Sequence, residues 1–293
     1  MTTQRILAAI LLFAGATVCH AQAQRPTIET RKVEGTDNVY IFRHGNHQSM
    51  FVVTSEGVIA TDPIAYGRPN GGEAYLAEIR KVTDKPVRYL IYSHHHYDHI
   101  AGGQAFKDAG ATIVAHRRAR ERLALLKDPH TPLPDEVVDS ERTIVLGDTA
   151  IELTYVGPNH SDSTLVMRLP AQRLIFLVDL VPVGSFPGLG MIDYYPLEAI
   201  ESMRRILAMD WDRMIPGHPG VPGDRLGTKK DVEEQIALQE YASQLVREQA
   251  RAGRCWFPAE NELQLEKYKD MPNYAIGRAY VVRRYCGLWG RGT

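Results

Sequence analysis

Residues 94–99 read His-His-His-Tyr-Asp-His, and no other stretch constrains the chain as strongly. An apolar run, Val87 to Tyr92, leads into it, and Ala101-Gly102-Gly103 leads out. That order predicts a buried strand, a tight loop and then a helix. Imidazole and carboxylate at this density suit zinc, iron or manganese far better than calcium or magnesium. An apolar strand ending in so many ionisable groups would be costly to bury without a bound cation. The plain alternative is a solvated polar loop, and the rest of the chain weighs against it.

His94 and His96 project alike, while Asp98 and His99 follow in a turn, so one loop can feed two metal positions. Further donors must come from elsewhere, and the histidines available are His44, His47, His116, His130, His160 and His218. His160 follows the apolar stretch Ile151 to Val156, and His218 follows Met214-Ile215-Pro216-Gly217. Asp179 closes Leu174-Ile175-Phe176-Leu177-Val178. Each reads as a buried strand delivering one group at its tip, the usual way a rigid scaffold presents a site. Taken singly these signals are weak, because an Asp at a strand end is more often a turn residue or cap. His95 either folds back toward the sheet or faces substrate. His116 is expected to open a helix in a structural role, and His130, between prolines, to lie in a surface loop.

In this order the residues resemble the metallo-β-lactamase superfamily. The motif His-x-His-x-Asp-His is His94, His96, Asp98 and His99, followed by His160, Asp179 and His218. The resemblance spans roughly residues 36–220. It implies an α/β fold, an αβ/βα sandwich of two mixed β-sheets with outer helices. It also implies two Zn2+ ions, with iron or manganese as alternatives. His94, His96 and His160 would hold one, Asp98, His99 and His218 the other, and Asp179 would bridge them. Asp98 would also shuttle a proton as a catalytic group. Asp62, at the end of Val58-Ile59-Ala60-Thr61, matches an early Asp that orients a ligand, as metal-bound histidine usually requires.

What this implies for activity is a metallo-hydrolase acting on a small ester, lactone or amide-like bond, β-lactams among them. A β-lactamase proper is one alternative. Against it, one subclass of zinc β-lactamases has Cys where Asp179 stands and Lys three residues later, and here that later position is Pro182. The other alternative is a mononuclear iron oxidoreductase of the persulfide dioxygenase type. Two loops are expected to shape the pocket: residues 44–49, a hairpin turn, and residues 182–195, with Phe186, Met191, Tyr194 and Tyr195.

A formal net charge of −1 gives no bulk attraction to nucleic acid or anionic membrane, which leaves a small molecule as the expected partner. Arg5, the apolar run Ile6 to Val18 and the small-x-small triplet Ala21-Gln22-Ala23 read as a bacterial secretory signal peptide over residues 1–23. That run is too short to span a bilayer, so the expectation is an exported, periplasmic or secreted protein without stable membrane insertion. Cys255 and Cys286 could then pair in an oxidising compartment. The expected organisation continues with the metallo-β-lactamase-like domain over 24–227. A helical appendage over 228–293 completes it, packed through Leu238, Tyr241, Leu245, Tyr268 and Tyr280. Expected elements include helices at 72–82, 104–109, 117–126 and 197–209, and a Pro-rich loop at 128–135.

Overall fold

The structure is a computed structural model that describes residues 28–188 and 191–292. The proposed signal peptide lies outside them. Two mixed sheets form the centre. The first has seven strands in sequence order: β1 Ile28–Lys32, β2 Val39–His44, β3 His47–Val53, β4 Val58–Thr61, β5 Val87–Ile91, β6 Thr112–His116 and β7 Glu136–Val138. Its first four strands are antiparallel meanders, and β4 to β7 run parallel. The second has the order β12-β11-β10-β9-β8, built from β8 Glu141–Leu146, β9 Thr149–Tyr155, β10 Leu165–Leu169, β11 Leu174–Leu177 and β12 Arg213–Pro216. Only its β11–β12 pair is parallel.

The parallel connections need crossovers, and helices supply them. α1 Gly71–Val82, α3 Gly103–Asp108 and α4 Arg117–Leu126 cover the outer face of the first sheet. α5 Pro196–Ala208 covers the second, together with α6 Lys229–Arg251 and α8 Tyr274–Arg291. Between the sheets lies a dry layer of Ile41, Met50, Ile59 and Ile91 against Ile151, Leu153, Met167 and Phe176. This is the expected αβ/βα sandwich, with helices at the C-terminal end. Alternation of buried with half-buried or exposed side chains marks β8 and β9, while β4 and β11 are buried on both faces. Strands covered on both sides read as continuous apolar runs.

His116 fills the structural role expected of it. It caps α4 by accepting from the Arg118 amide, donates to the Asp139 carbonyl at 3.1 Å and stacks on Tyr155. The structure departs from expectation in three places. β7 was not anticipated beside the Pro-rich loop, because three residues are too few to show a period. Phe186, Met191 and Tyr194 are buried, so they cannot wall a pocket. They pack into the core shared by the second sheet and the C-terminal helices. Within those helices Leu238 and Tyr268 are buried as expected, but Tyr280 is exposed.

α8 grips the stretch that follows Asp179. The Phe186 amide donates to the Pro272 carbonyl at 2.9 Å, and its ring meets Tyr274 edge-on. Arg284 donates to the Tyr194 carbonyl. Gly277 makes the approach possible: a β-carbon there would lie 1.8 Å from the Pro187 carbonyl oxygen and 2.9 Å from the Phe186 ring. Gly277→Ala is therefore expected to cost about 1–3 kcal/mol by overpacking. Gly188→Ala, where the added atom meets open space, should leave the melting temperature within a degree or so of the parent. Calorimetry on both variants checks this, and equal melting temperatures would remove the clasp.

Candidate metal centre

Five residues of the site follow the C-terminal ends of strands. Asp62 follows β4, His94 follows β5, His160 follows β9, Asp179 follows β11 and His218 follows β12. Ligand sites in open α/β sheets gather at such ends. The six-residue motif turns through a single helical turn, α2 Tyr97–Ile100, with the His99 and Ile100 amides donating to the His96 carbonyl. Gly217 lets β12 come close, since a β-carbon there would sit 2.6 Å from Val178 and 3.1 Å from His99. The two sheets are stitched beside the site by the Leu165 amide to the Ser93 carbonyl, and by the Gln48 amide to the Gly217 carbonyl, both 2.8 Å.

All seven residues predicted as ligands come together. Ligand atoms of His94, His96, His160 and Asp179 lie within 4.8 Å of one another, as do those of Asp98, His99, His218 and His47. Asp179 joins the two groups. Its Oδ2 lies 3.9 Å from His94 Nε2, 3.5 Å from His160 Nε2 and 3.0 Å from His99 Nε2, and its Oδ1 lies 3.1 Å from His218 Nε2.

These contacts are close without being hydrogen bonds. His94 Nε2, both ring nitrogens of His99, and Asp179 Oδ1 are buried and lack any hydrogen-bond partner. Buried polar atoms in folded proteins are nearly always satisfied. A convergent set of unsatisfied imidazole nitrogens around a carboxylate fits a cation. The opposite ring nitrogens are held where a ligand needs them held. Ser93 Oγ meets His94 Nδ1 at 2.9 Å. His218 Nδ1 donates to the Asn46 carbonyl at 2.6 Å, which leaves Nε2 with its lone pair facing Asp179. His96 turns Nε2 to the Asp193 carboxylate at 3.0 and 3.1 Å, and Nδ1 to His160.

The backbone is strained where the site is built. Asp62, Ile64 and Asp179 have φ of 28°, 47° and 61°, a region L-residues enter at a cost of about 1–3 kcal/mol and mostly at functional sites. Asp62 accepts from the Ser93 amide at 2.8 Å, anchoring the start of the motif, and burial pushes its carboxyl up to about 6. Burial works against ionising Asp98, but the hydrogen bond with His47 and the charge of His99 hold it at about 2. Burial drives His94 well below its ordinary value and His160 down to about 4. Burial also opposes a charge on His99, yet Asp179 and Asp98 push it up to about 9.

Two residues at the site escaped the sequence reading. His47 stands in the sequence as one of several histidines available as a further donor, in an expected pocket loop, and nothing in the sequence singles out Asp193. Asp193 follows no strand and carries no local signal. His95 contacts Ser163 Oγ at 2.8 Å and Asp193 at 3.4 Å, so it lies against the loop that carries His160. His44 and His130 join neither group.

A sandwich of this kind, with His and Asp donors gathered at its strand ends, defines a class of metallo-hydrolases. Residues 42–218 match the model of the metallo-beta-lactamase superfamily, and the chain belongs to that superfamily. A 2,4-dinitroanisole O-demethylase subunit alpha from Nocardioides sp. (strain JS1661) is 29% identical over 196 residues, covering 66% of this chain and 58% of that protein. The match thus spans under two thirds of that relative's length. A metallo-beta-lactamase type 2 from Elizabethkingia meningoseptica is 26% identical over 196 residues, covering 63% of this chain and 75% of that one. The solved metallo-beta-lactamase from Pontibacter korlensis superposes with a TM-score of 0.63 at 20% identity, over 73% of this chain and 99% of the other. Among the described residues, no helix is long and apolar enough to cross a membrane.

The histidines set a pH prediction for chelator-treated protein. His99 has a folded value near 9 against an ordinary 6.5, so its pairing with Asp179 stabilises fully below pH 6.5 and is lost as pH rises through 9. His160 is shifted the other way, to about 4, so stability present above pH 6.5 is lost as pH falls toward 4. Melting temperature should peak near neutrality. In metal-loaded protein the alkaline decline should flatten, because a ligating His99 is already neutral. Identical alkaline limbs in scans from pH 5 to 10 would count against His99 as a ligand.

Proposed function

We propose that the chain is a dinuclear zinc hydrolase that cleaves a small ester, lactone or amide-like bond, with iron or manganese as alternative metals. The observation that carries this is Asp179: one carboxylate faces two imidazoles from each of two donor groups. In this reading His94, His96 and His160 hold one ion, Asp98, His99 and His218 the other, and Asp179 spans both. Two such ions, when bound, would lower the pKa of a coordinated water and polarise the scissile group.

The remaining work falls to the chain. Asp98, half exposed beside the second group, can take the proton of the attacking water. Asp193 orients His96, and Asp62 holds the motif at Ser93. Substrate would meet the apolar side chains left at the surface: Ile192 is 86% exposed and adjoins Asp193, and Tyr66 is 62% exposed two residues before Arg68. β-Lactam cleavage is a second reading, favoured by the relatives that carry that name. The domain reading goes with this function: the sandwich over 24–227 bears the chemistry, and the helices beyond 228 buttress the substrate side. Removal of residues 1–23 on export is part of the same proposal.

The test is metal analysis joined to a substrate panel of lactones, esters, thioesters, β-lactams and, for the sake of the first relative, an aryl methyl ether. Asp179→Asn keeps shape but not charge. It should lower kcat by at least about 100-fold, an amount typical of losing one electrostatic group at a reacting centre, while melting temperature changes far less. Unchanged kcat with two ions retained would take Asp179 out of the site. Ile192→Ser should raise KM for an apolar substrate several-fold with kcat and metal content near the parent, the signature of lost uniform binding. A fall in metal content instead would make Ile192 part of the scaffold.

A further inference from the structure

His47 stands at the first residue of β3, across the hairpin from His44. Its ring centroid is 5.1 Å from that of His99 and 4.4 Å from that of His218. Proximity alone would make it a fourth nitrogen ligand of the Asp98, His99, His218 position. Its hydrogen bonds argue otherwise. Arg68 Nη2 lies 2.8 Å from His47 Nδ1. A guanidinium has donors only and stays charged, so His47 Nδ1 must offer its lone pair. A neutral imidazole then carries its single proton on Nε2. That nitrogen faces Asp98 Oδ2 at 3.3 Å. A metal at Nε2 would need the lone pair there, which would force a proton onto Nδ1 and point it at the guanidinium.

Arg68 is itself fixed. Its Nη1 donates to the Ile64 carbonyl at 2.8 Å, and the Ile64 amide donates to the His99 carbonyl at 2.7 Å. The guanidinium is therefore tied to the backbone that carries the second donor group. Asp98 is the most exposed carboxylate of the site, with 42% of its side chain open. His47 is the group that holds one of its oxygens by a hydrogen bond.

We propose that His47 is a positioning residue for Asp98, locked by Arg68 into the tautomer that donates to the carboxylate, and not a metal ligand. This rests on the reading of Asp98 as a ligand of the second ion. Arg68 excludes a seventh unshared donor and leaves Asp98 with one oxygen engaged and the other free for the ion. The second ion then keeps room for substrate.

Long-range proton–nitrogen NMR of the imidazoles, on cadmium-loaded and on chelated full-length protein, reads the tautomer directly. Nε2–H with a bare Nδ1 at His47 is expected in both. Competition with a chromogenic chelator reads affinity. His47→Ala should weaken the second cadmium about 10–100-fold, the usual cost of losing a partner behind a ligand. His47→Gln, whose amide N–H can still donate to Asp98, should recover part of that loss. Arg68→Met should turn the single tautomer into a mixture. Metal–nitrogen coupling at His47 Nε2, or a Gln variant no better than Ala, would overturn the proposal while leaving the dinuclear reading intact. Parent protein that takes up no second ion would overturn both.

Discussion

The structure depends on one unfavourable placement, the carboxylate of Asp179 among imidazoles at the seam of two sheets. Only 10% of its side chain is exposed, and its backbone is in the left-handed region. An isolated carboxylate in such a place would surrender its charge. It keeps the charge because the charged His99 lies beside it. His99 and His218 in turn sit where they do because β5 and β12 end at the same seam. The dry layer between the sheets sets that geometry, so core packing and site electrostatics form a single problem. The strain at Asp62, Ile64 and Asp179 is carried by the buried strands on either side.

Much of this was legible in the sequence, for a physical reason. A buried strand ending in one polar residue is an apolar run with a sharp change of character. Such changes at Asp62, His94, Asp179 and His218 need no knowledge of distant contacts. The sandwich was legible through the family resemblance that those residues carry. His47 and Asp193 were harder because each acts through a partner far along the chain. Asp193 meets His96 across 97 positions, and Arg68 meets His47 across 21. No local period or motif records such pairings.

The loop after Asp179 shows where composition misleads. Phe186, Met191 and Tyr194 look like pocket walls in a sequence, since aromatics near a ligand commonly line a site. They are buried because α6 and α8 provide a second apolar surface, and that surface exists only once the C-terminal helices have docked. Helical period at 229–251 shows that a helix forms, but says nothing of which face it covers. Ile192, the residue left outside, is marked by exposure and not by any sequence signal.

The clasp at Gly277 ties the stretch after Asp179 to the C-terminal helix α8. The solved Pontibacter korlensis relative is matched over 99% of its own length by 73% of this chain, so it is the shorter of the two. A loop shaped against a helix cannot be lifted out by itself. Anyone grafting residues 182–195 onto a shorter relative would have to transplant the α8 face with them, Gly277 included. In this chain the loop beside the donor groups and the face of α8 can be redesigned only together.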